Sequence, residues 1–251
     1  MQNQTYPEIA NMQSFDHITL GEMDAVKLLN RTDTKFVMRR SLINELFNPL
    51  SEGYRCLNVE GNIISRYKTL YFDTPEFHFY LSHHNGHLNR YKVRMRKYVE
   101  SGIFFLEIKN KYKGRTIKKR IKIDGFEEEM TPDSKAYVDD VIGESLPLES
   151  KLYNSFGRVT LVNKHEQERL TIDFDLGFQW ENQDHQYDHL VIAELKQDGV
   201  NRNSLFYRLM KQNGIRPTGM SKYCLGAMTL NPDLKYNNFK RKKLLIEKLK
   251  S

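Results

Sequence analysis

Arg94 and Arg96, two apart in Arg90-Tyr91-Lys92-Val93-Arg94-Met95-Arg96, are suited to holding phosphate. A guanidinium fork matches two phosphate oxygens at once, and an ammonium such as that of Lys92 adds a movable point charge. Period-two spacing puts Arg90, Lys92, Arg94 and Arg96 on one face of a strand and Tyr91, Val93 and Met95 on the other. The pattern recurs twice. Glu107, Lys109 and Lys111 alternate with Leu106 and Ile108, and Lys118, Arg120 and Lys122 alternate with Ile117, Ile121 and Ile123. Any one such strand could turn its polar face to water. Three in succession set like charges opposite one another, which is unfavourable unless something offsets it. A polyanion held against the charged face would do so.

Further cations fall in other predicted strands or near the end of the chain: Lys35, Arg66, Lys68, Arg158, Lys196 and Lys222. Carboxylates share these faces. Glu107 sits two residues before Lys109, Asp173 and Asp175 alternate with Phe174 and Leu176, and Glu194 and Lys196 alternate with Ala193 and Leu195. They can be ion-pair partners that space the cations. They can also hold Mg2+ or Mn2+, which typically takes a few carboxylates and completes its shell with substrate phosphates and water. Such an ion would neutralise charge as a phosphoryl group transfers.

Other chemistries lack their motifs. There is no Gly-x-x-x-x-Gly-Lys-Ser/Thr loop, no Gly-x-Gly-x-x-Gly and no Gly-x-Ser-x-Gly elbow, and no Cys/His or Ser/His pair marks a covalent nucleophile. The block His83-His84-Asn85-Gly86-His87 has no carboxylate or cysteine at ligand spacing and is expected to be a solvated turn rather than a zinc site. Cys56 and Cys224 lack metal spacing and read as reduced structural thiols.

The elements that must carry these residues are mostly strands. Beyond the three above, strands are expected over 31–38, 54–59, 63–73, 157–165, 169–180 and 187–196. Helices are expected over 15–30, from Ser41 to Phe47 with Pro49 beyond the end, from Thr74 to about Leu81, over 132–142, 149–156, 204–211 and from Ser221 to about Leu230. Residues 1–14 are polar and expected to be loosely attached. The last segment, Lys235 to Ser251, carries Lys240-Arg241-Lys242-Lys243 and reads as a solvated basic tail, with an amphipathic anchoring helix as the alternative.

The 251 residues suit one large or two small domains, and a net charge of +7 with pI near 9.2 favours an anionic partner. The 14 Tyr and 14 Phe would also allow base stacking. Cations spread over alternating strands favour an enclosed site over a flat nucleic-acid patch. The sequence begins without a charged n-region and apolar core, and no run approaches the ~20 apolar residues a spanning helix needs. A cytoplasmic protein is expected.

The chain resembles the VTC domain, the polyphosphate polymerase domain of the vacuolar transporter chaperone complex, in its stand-alone bacterial form, and through it the triphosphate tunnel metalloenzymes related to CYTH proteins. The resemblance rests on Arg31-Thr32-Asp33-Thr34-Lys35-Phe36, Tyr71-Phe72-Asp73-Thr74, Lys92-Val93-Arg94-Met95-Arg96, Leu106-Glu107-Ile108-Lys109 and Lys118-Lys119-Arg120. Arg158, Ala193-Glu194-Leu195-Lys196 and Ser221-Lys222-Tyr223 complete it. It covers roughly residues 15–230 and leaves 231–251 as the basic tail.

The resemblance implies an α+β fold: an antiparallel β-barrel tunnel with surrounding helices and inward-facing charges. It implies that Lys35, Arg94, Arg96, Lys109, Lys118, Arg158 and Lys222 contact phosphates, with Arg94, Arg96, Lys109 and Arg158 holding the triphosphate, and that Glu194 binds Mn2+ or Mg2+. Parity supports Lys118 over Lys119, because Lys118 shares its face with Arg120. The implied activity is metal-dependent transfer of the ATP γ-phosphoryl group to a growing polyphosphate chain. The alternatives are an inorganic or nucleoside triphosphatase and a non-enzymatic polyphosphate or nucleic-acid binding module.

Two departures bear on this. The Glu-x-Glu-x-Lys start of CYTH triphosphatases is replaced by Arg31-Thr32-Asp33-Thr34-Lys35, which disfavours a plain triphosphatase. The SPX domain and membrane spans of the eukaryotic complex are also missing from this sequence, so coupling to transport would need a separate membrane protein partner at the inner face of the membrane, with the basic tail as a contact.

Overall fold

The computed structural model describes residues 12–25 and 31–250. The elements run β1 (Asp16–Ile18), α1 (Leu20–Ala25), β2 (Arg31–Arg39), α2 (Leu42–Gly53), β3 (Tyr54–Leu57), β4 (Ser65–Asp73), α3 (His78–His84), β5 (Arg90–Tyr98), β6 (Ile103–Tyr112) and β7 (Arg115–Ile123). They continue with α4 (Pro132–Ile142), β8 (Glu149–Asn163), β9 (Glu168–Trp180), β10 (Gln183–Tyr187), β11 (Leu190–Asp198), α5 (Leu205–Gln212), α6 (Lys222–Leu230) and α7 (Lys240–Lys248).

The strands form one curled sheet in the order β2-β11-β9-β8-β4-β5-β6-β7, antiparallel throughout that path, with β10 on β9 and the β1–β3 pair on β8. The result is a half-barrel with helices around it, an α+β architecture. The expected barrel is present as this curled sheet, and β2 and β7 are its two edges.

Alternation divides each strand between a convex and a concave side. On the convex side, Phe36, Met38, Val191, Ala193, Leu195, Leu170 and Ile172 pack under α2 and α5. Further along, Leu70, Phe72, Val93, Met95, Leu106 and Ile108 pack with Val138 of α4 and Phe79 of α3. On the concave side the two ends differ. One end is filled by α6, whose Tyr223, Ala227, Met228 and Leu230 meet Leu152, Phe156, Phe178 and Ile192. The other end is lined by charge.

Four expectations are corrected. The stretch 149–156 is not a helix: it is the first half of a 15-residue strand, β8, with a register shift between Ser155 and Gly157. Gly157 marks a bulge, where Phe174 comes within about 3.0 Å of where its Cβ would be. The expected helix 15–30 is a strand, β1, followed by the short α1; Thr19 and Glu22 cap it reciprocally, and residues 26–30 lie outside those described. Helix α2 continues through Pro49 to Gly53 because Leu46, Phe47 and Leu50 are all buried against the sheet. His83 and His84 belong to α3 rather than to a turn, and His84 is buried.

The termini also differ from expectation. Residues 1–11 lie outside the described part, but Met12 is buried in the core under α2. The basic tail forms α7, with Phe239 and Ile246 buried against α3 and α6. Among the described residues no helix is long and apolar enough to cross a membrane.

Candidate functional site

Strands β5, β6 and β7 place their charges in rows, because antiparallel partners sit directly opposite. Arg90 faces Lys111. Lys92, Lys109 and Lys118 form the next row, then Arg94, Glu107 and Arg120, then Arg96, Phe105 and Lys122. Only the third row contains a carboxylate.

Glu107 is fully buried and is gripped from both sides. Arg94 donates to Oε2 from Nε at 2.8 Å and from Nη2 at 2.6 Å, and the Lys118 ammonium reaches back to Oε1. Burial alone would raise this carboxyl, but Arg94, Arg96 and Lys118 more than reverse that and hold it far below the usual carboxylate range. Glu107 is therefore a charge spacer in this arrangement.

Lys109 makes no ion pair or hydrogen bond among the described residues. Arg94 beside it, then its burial, then Arg96, Lys92 and Lys196 push its ammonium well below the ordinary lysine value. Arg96 also lacks a carboxylate among those residues: Nε donates to Thr69 Oγ1 at 3.2 Å and the guanidinium lies 5.2 Å from the Tyr67 ring centre and 5.6 Å from that of Phe156. Burial and then Arg94 bring it down to about 10. These aromatic faces orient the fork without neutralising it.

The opposite wall repeats the scheme. Arg158 on β8 grips Asp173 on β9 in two bonds, Nε to Oδ1 at 2.5 Å and Nη2 to Oδ2 at 2.7 Å, and Lys222 takes the same carboxylate. Lys222 is the first residue of α6, so the helix that fills the apolar end delivers its cation to the charged end. Ser221 caps that helix by accepting from Cys224 N, and Lys92 Nζ donates to the same Ser221 hydroxyl at 2.9 Å. Burial lowers both Lys92 and Lys222 to about 8.

On the far edge, β2 and β11 set Lys35 opposite Glu194. Glu194 is held by Lys35 and by Lys196, and Lys196 lies 3.7 Å from Asp33. Burial and then the neighbouring Lys196 lower Lys35 to about 7.

All seven residues expected to contact phosphate lie on or at the concave face: Lys35, Arg94, Arg96, Lys109, Lys118, Arg158 and Lys222. Lys92, Lys196, Asp173 and the Tyr67–Phe156 pair join them. Lys92 and Lys196 were legible from parity alone. Asp173 shares a row with Arg158, a pairing that only the β8–β9 register reveals. Other expected cations do not join. Arg66 pairs with Glu100 at 2.9 Å at the surface, and Lys68 lies 4.6 Å from the Tyr153 ring centre on the convex side. Asp175 also departs: its φ of 51° breaks the alternation and it pairs with Arg40. Lys119 takes the convex side, opposite Ile108, as parity requires.

A model of the VTC domain matches residues 30–231. The chain belongs to the VTC domain family. Among solved structures, the VTC-family chain is similar to an adenylyl cyclase-like protein from Hippeastrum, described as having a dominant triphosphatase activity (15% identity, 79% of this chain and 96% of that chain, TM-score 0.51). It is also similar to adenylate cyclase-like proteins from Bacillus halodurans (15% identity, 77% and 96%, TM-score 0.49) and Vibrio parahaemolyticus (12% identity, 79% and 99%, TM-score 0.45). The Hippeastrum likeness shows a shared tunnel fold. No curated protein matches the chain.

The family implies a divalent metal. Among the described residues no cluster of three or more His, Cys, Asp or Glu could hold one alone. A hard cation that takes one or two carboxylates and fills its shell with phosphate and water fits better. Glu194, with Asp33 on the other side of Lys196, would be the carboxylates available to such an ion.

Proposed function

We propose that this VTC-family protein is a metal-dependent polyphosphate polymerase that acts on ATP. The observation that carries the proposal is the surplus of inward cations around Lys109, with every nearby carboxylate already held by two cations. That arrangement suits a condensed phosphate.

In the proposed reaction a terminal oxygen of a polyphosphate chain forms a bond to the γ-phosphorus of ATP. The bond from that phosphorus to the β–γ bridging oxygen breaks, and ADP leaves. A terminal phosphate is already anionic and needs no general base. This suits a site whose Glu107 and Asp173 are held well below the usual range and are poor bases. Arg94, Arg96, Lys109 and Arg158 would position the triphosphate, with Lys35, Lys118 and Lys222 bearing on the transferring group and its acceptor. Glu194 would hold Mn2+ or Mg2+, which when bound supplies neutralisation of the charge on the β- and γ-phosphates. The concave placement of the cations supports ATP and polyphosphate as ligands over a nucleic-acid surface.

Hydrolysis is the second reading, favoured by the triphosphatase activity described for the Hippeastrum protein. Incubating the purified chain with ATP and Mn2+ and resolving the products by gel separates the two. Long polyphosphate supports the polymerase; phosphate release without chain growth supports the hydrolase.

A further inference from the structure

The row beyond Lys92, Lys109 and Lys118 has no role in the site described above. There Arg90 faces Lys111, and the next residue across the sheet is Thr116, so no carboxylate lies in the row. It is two residues further along the strands, about 7 Å from the Lys109 row. Directly opposed cations of this kind are unfavourable without a counter-charge.

Two helices bring further cationic or proton-accepting groups to the same place. Arg90 Nη1 donates to the His87 carbonyl at 2.6 Å, just after α3. Helix α7 is pinned to the end of α3: Asn238 donates from its backbone N to His84 Nε2 at 3.1 Å and from Nδ2 to the His84 carbonyl at 3.0 Å. Phe239 packs edge-on against His83 and His84, and Lys242 Nζ lies 5.1 Å from the Phe239 ring centre. His83 Nδ1 is buried without a hydrogen-bond partner. Burial, and then the charges of Lys92, Arg90, Lys242 and Lys111, drive the His83 imidazole far below its ordinary value. Lys92 connects this cluster to Lys109 and to the Ser221 cap. Helix α7 lies outside residues 30–231, the part that matches the family model.

We propose that Arg90, Lys111, His83 and Lys242 form a second anion subsite, which receives the segment of a condensed phosphate chain that extends past the triphosphate held around Lys109. It rests on the phosphate reading of the central site. The ligand class is linear inorganic polyphosphate, and the subsite has no use for a ligand as short as tripolyphosphate. The C-terminal helix thereby becomes part of the polymer path.

The test compares tripolyphosphate with long-chain polyphosphate by titration calorimetry at fixed ionic strength. It uses the full chain and the Lys111→Gln/Lys242→Gln variant, with inorganic phosphate as a third ligand. For the variant, a loss of about tenfold in affinity for the long chain is expected, with tripolyphosphate affinity changed less than about twofold. The long-chain affinity should also depend less steeply on salt. Equal losses for both ligands, or no loss for either, overturn the subsite. If inorganic phosphate competes with tripolyphosphate and long chain alike and the variant abolishes that competition, the cluster is a site for free phosphate and the proposal also fails. A parent protein that binds neither condensed phosphate overturns the central reading itself. Circular dichroism melting of the variant shows that it is folded, and the single substitution Lys242→Gln, on the partly exposed surface of α7, provides the same comparison if the pair is not.

Discussion

Glu107 shows what a buried charge does at this site. It is fully enclosed and links Arg94 to Lys118, so its removal leaves two cations facing each other in a poorly solvated place. Glu107→Gln is expected to lower stability by about 3–5 kcal/mol. The same variant should gain more thermal stabilisation from tripolyphosphate than the parent does, because the anion supplies the missing charge. An unchanged melting temperature would show that the pair carries no such role.

Arg96 is the cleaner probe of phosphate binding, since it holds no carboxylate among the described residues. Arg96→Ala should weaken tripolyphosphate binding about tenfold or more while costing the fold little; calorimetry and a melting curve together check it. Glu194→Ala should abolish metal-dependent turnover and leave polyanion binding largely intact. Turnover that stays metal-dependent and undiminished would remove Glu194 from the metal role.

The lysines give a pH signature. Lys35 is lowered to about 7, and Lys92 and Lys222 to about 8, in the ligand-free protein. A bound polyanion favours their charged forms and so raises these values. Binding must then take up protons wherever the free lysines are partly neutral, and affinity falls as pH rises. Between about pH 7.5 and 9.5, tripolyphosphate affinity should decrease, with proton uptake visible as buffer-dependent binding heat. Affinity that is flat or rising across that window would contradict the crowding described here.

At the scale of elements, the three central strands and their rows were readable because alternation is a local signal and the cations follow it without a break. Arg94, Arg96, Lys109 and Lys118, four of the seven residues proposed to contact phosphate, share the concave side for that reason. What escaped the sequence depended on register or on a backbone irregularity. The run Leu152-Tyr153-Asn154-Ser155-Phe156 mixes types that suit either element, and Gly157, expected to open a strand, is a bulge inside the longer β8. Asp175 looked like a fourth inward carboxylate, beside Glu107, Asp173 and Glu194, but its left-handed backbone turns it to Arg40. Asp173 needed the β8–β9 pairing to become the partner of Arg158 and Lys222. The tail looked solvated because its lysines dominate, yet Phe239 and Ile246 are enough to seat α7.

Helix α6 does two jobs, filling the apolar end and presenting Lys222. It approaches β9 closely: a Cβ on Gly226 would stand 2.3 Å from Phe178 Cδ1. Gly226→Ala should therefore destabilise by about 1–3 kcal/mol through overpacking and should also weaken tripolyphosphate binding, because Lys222 moves with the helix. A variant as stable as the parent would show that α6 has room to shift.

For the whole molecule, the half-barrel separates two tasks by face. The convex side buries apolar residues under α2, α4 and α5 and supplies stability. The concave side gathers cations at a cost that a bound anion would offset, so condensed phosphate should raise the melting temperature, and go on raising it with the logarithm of its concentration. Membership of the VTC domain family and the shared tunnel fold fit that picture. The step from binding phosphate to polymerising it is the central claim, and one measurement tests it most directly. ATP and Mn2+ are added to the purified chain and the products are resolved on a gel over time. The account predicts polyphosphate that lengthens with time, with one ADP formed for each phosphoryl group added. Stoichiometric release of inorganic phosphate with no polymer at any time point would contradict it.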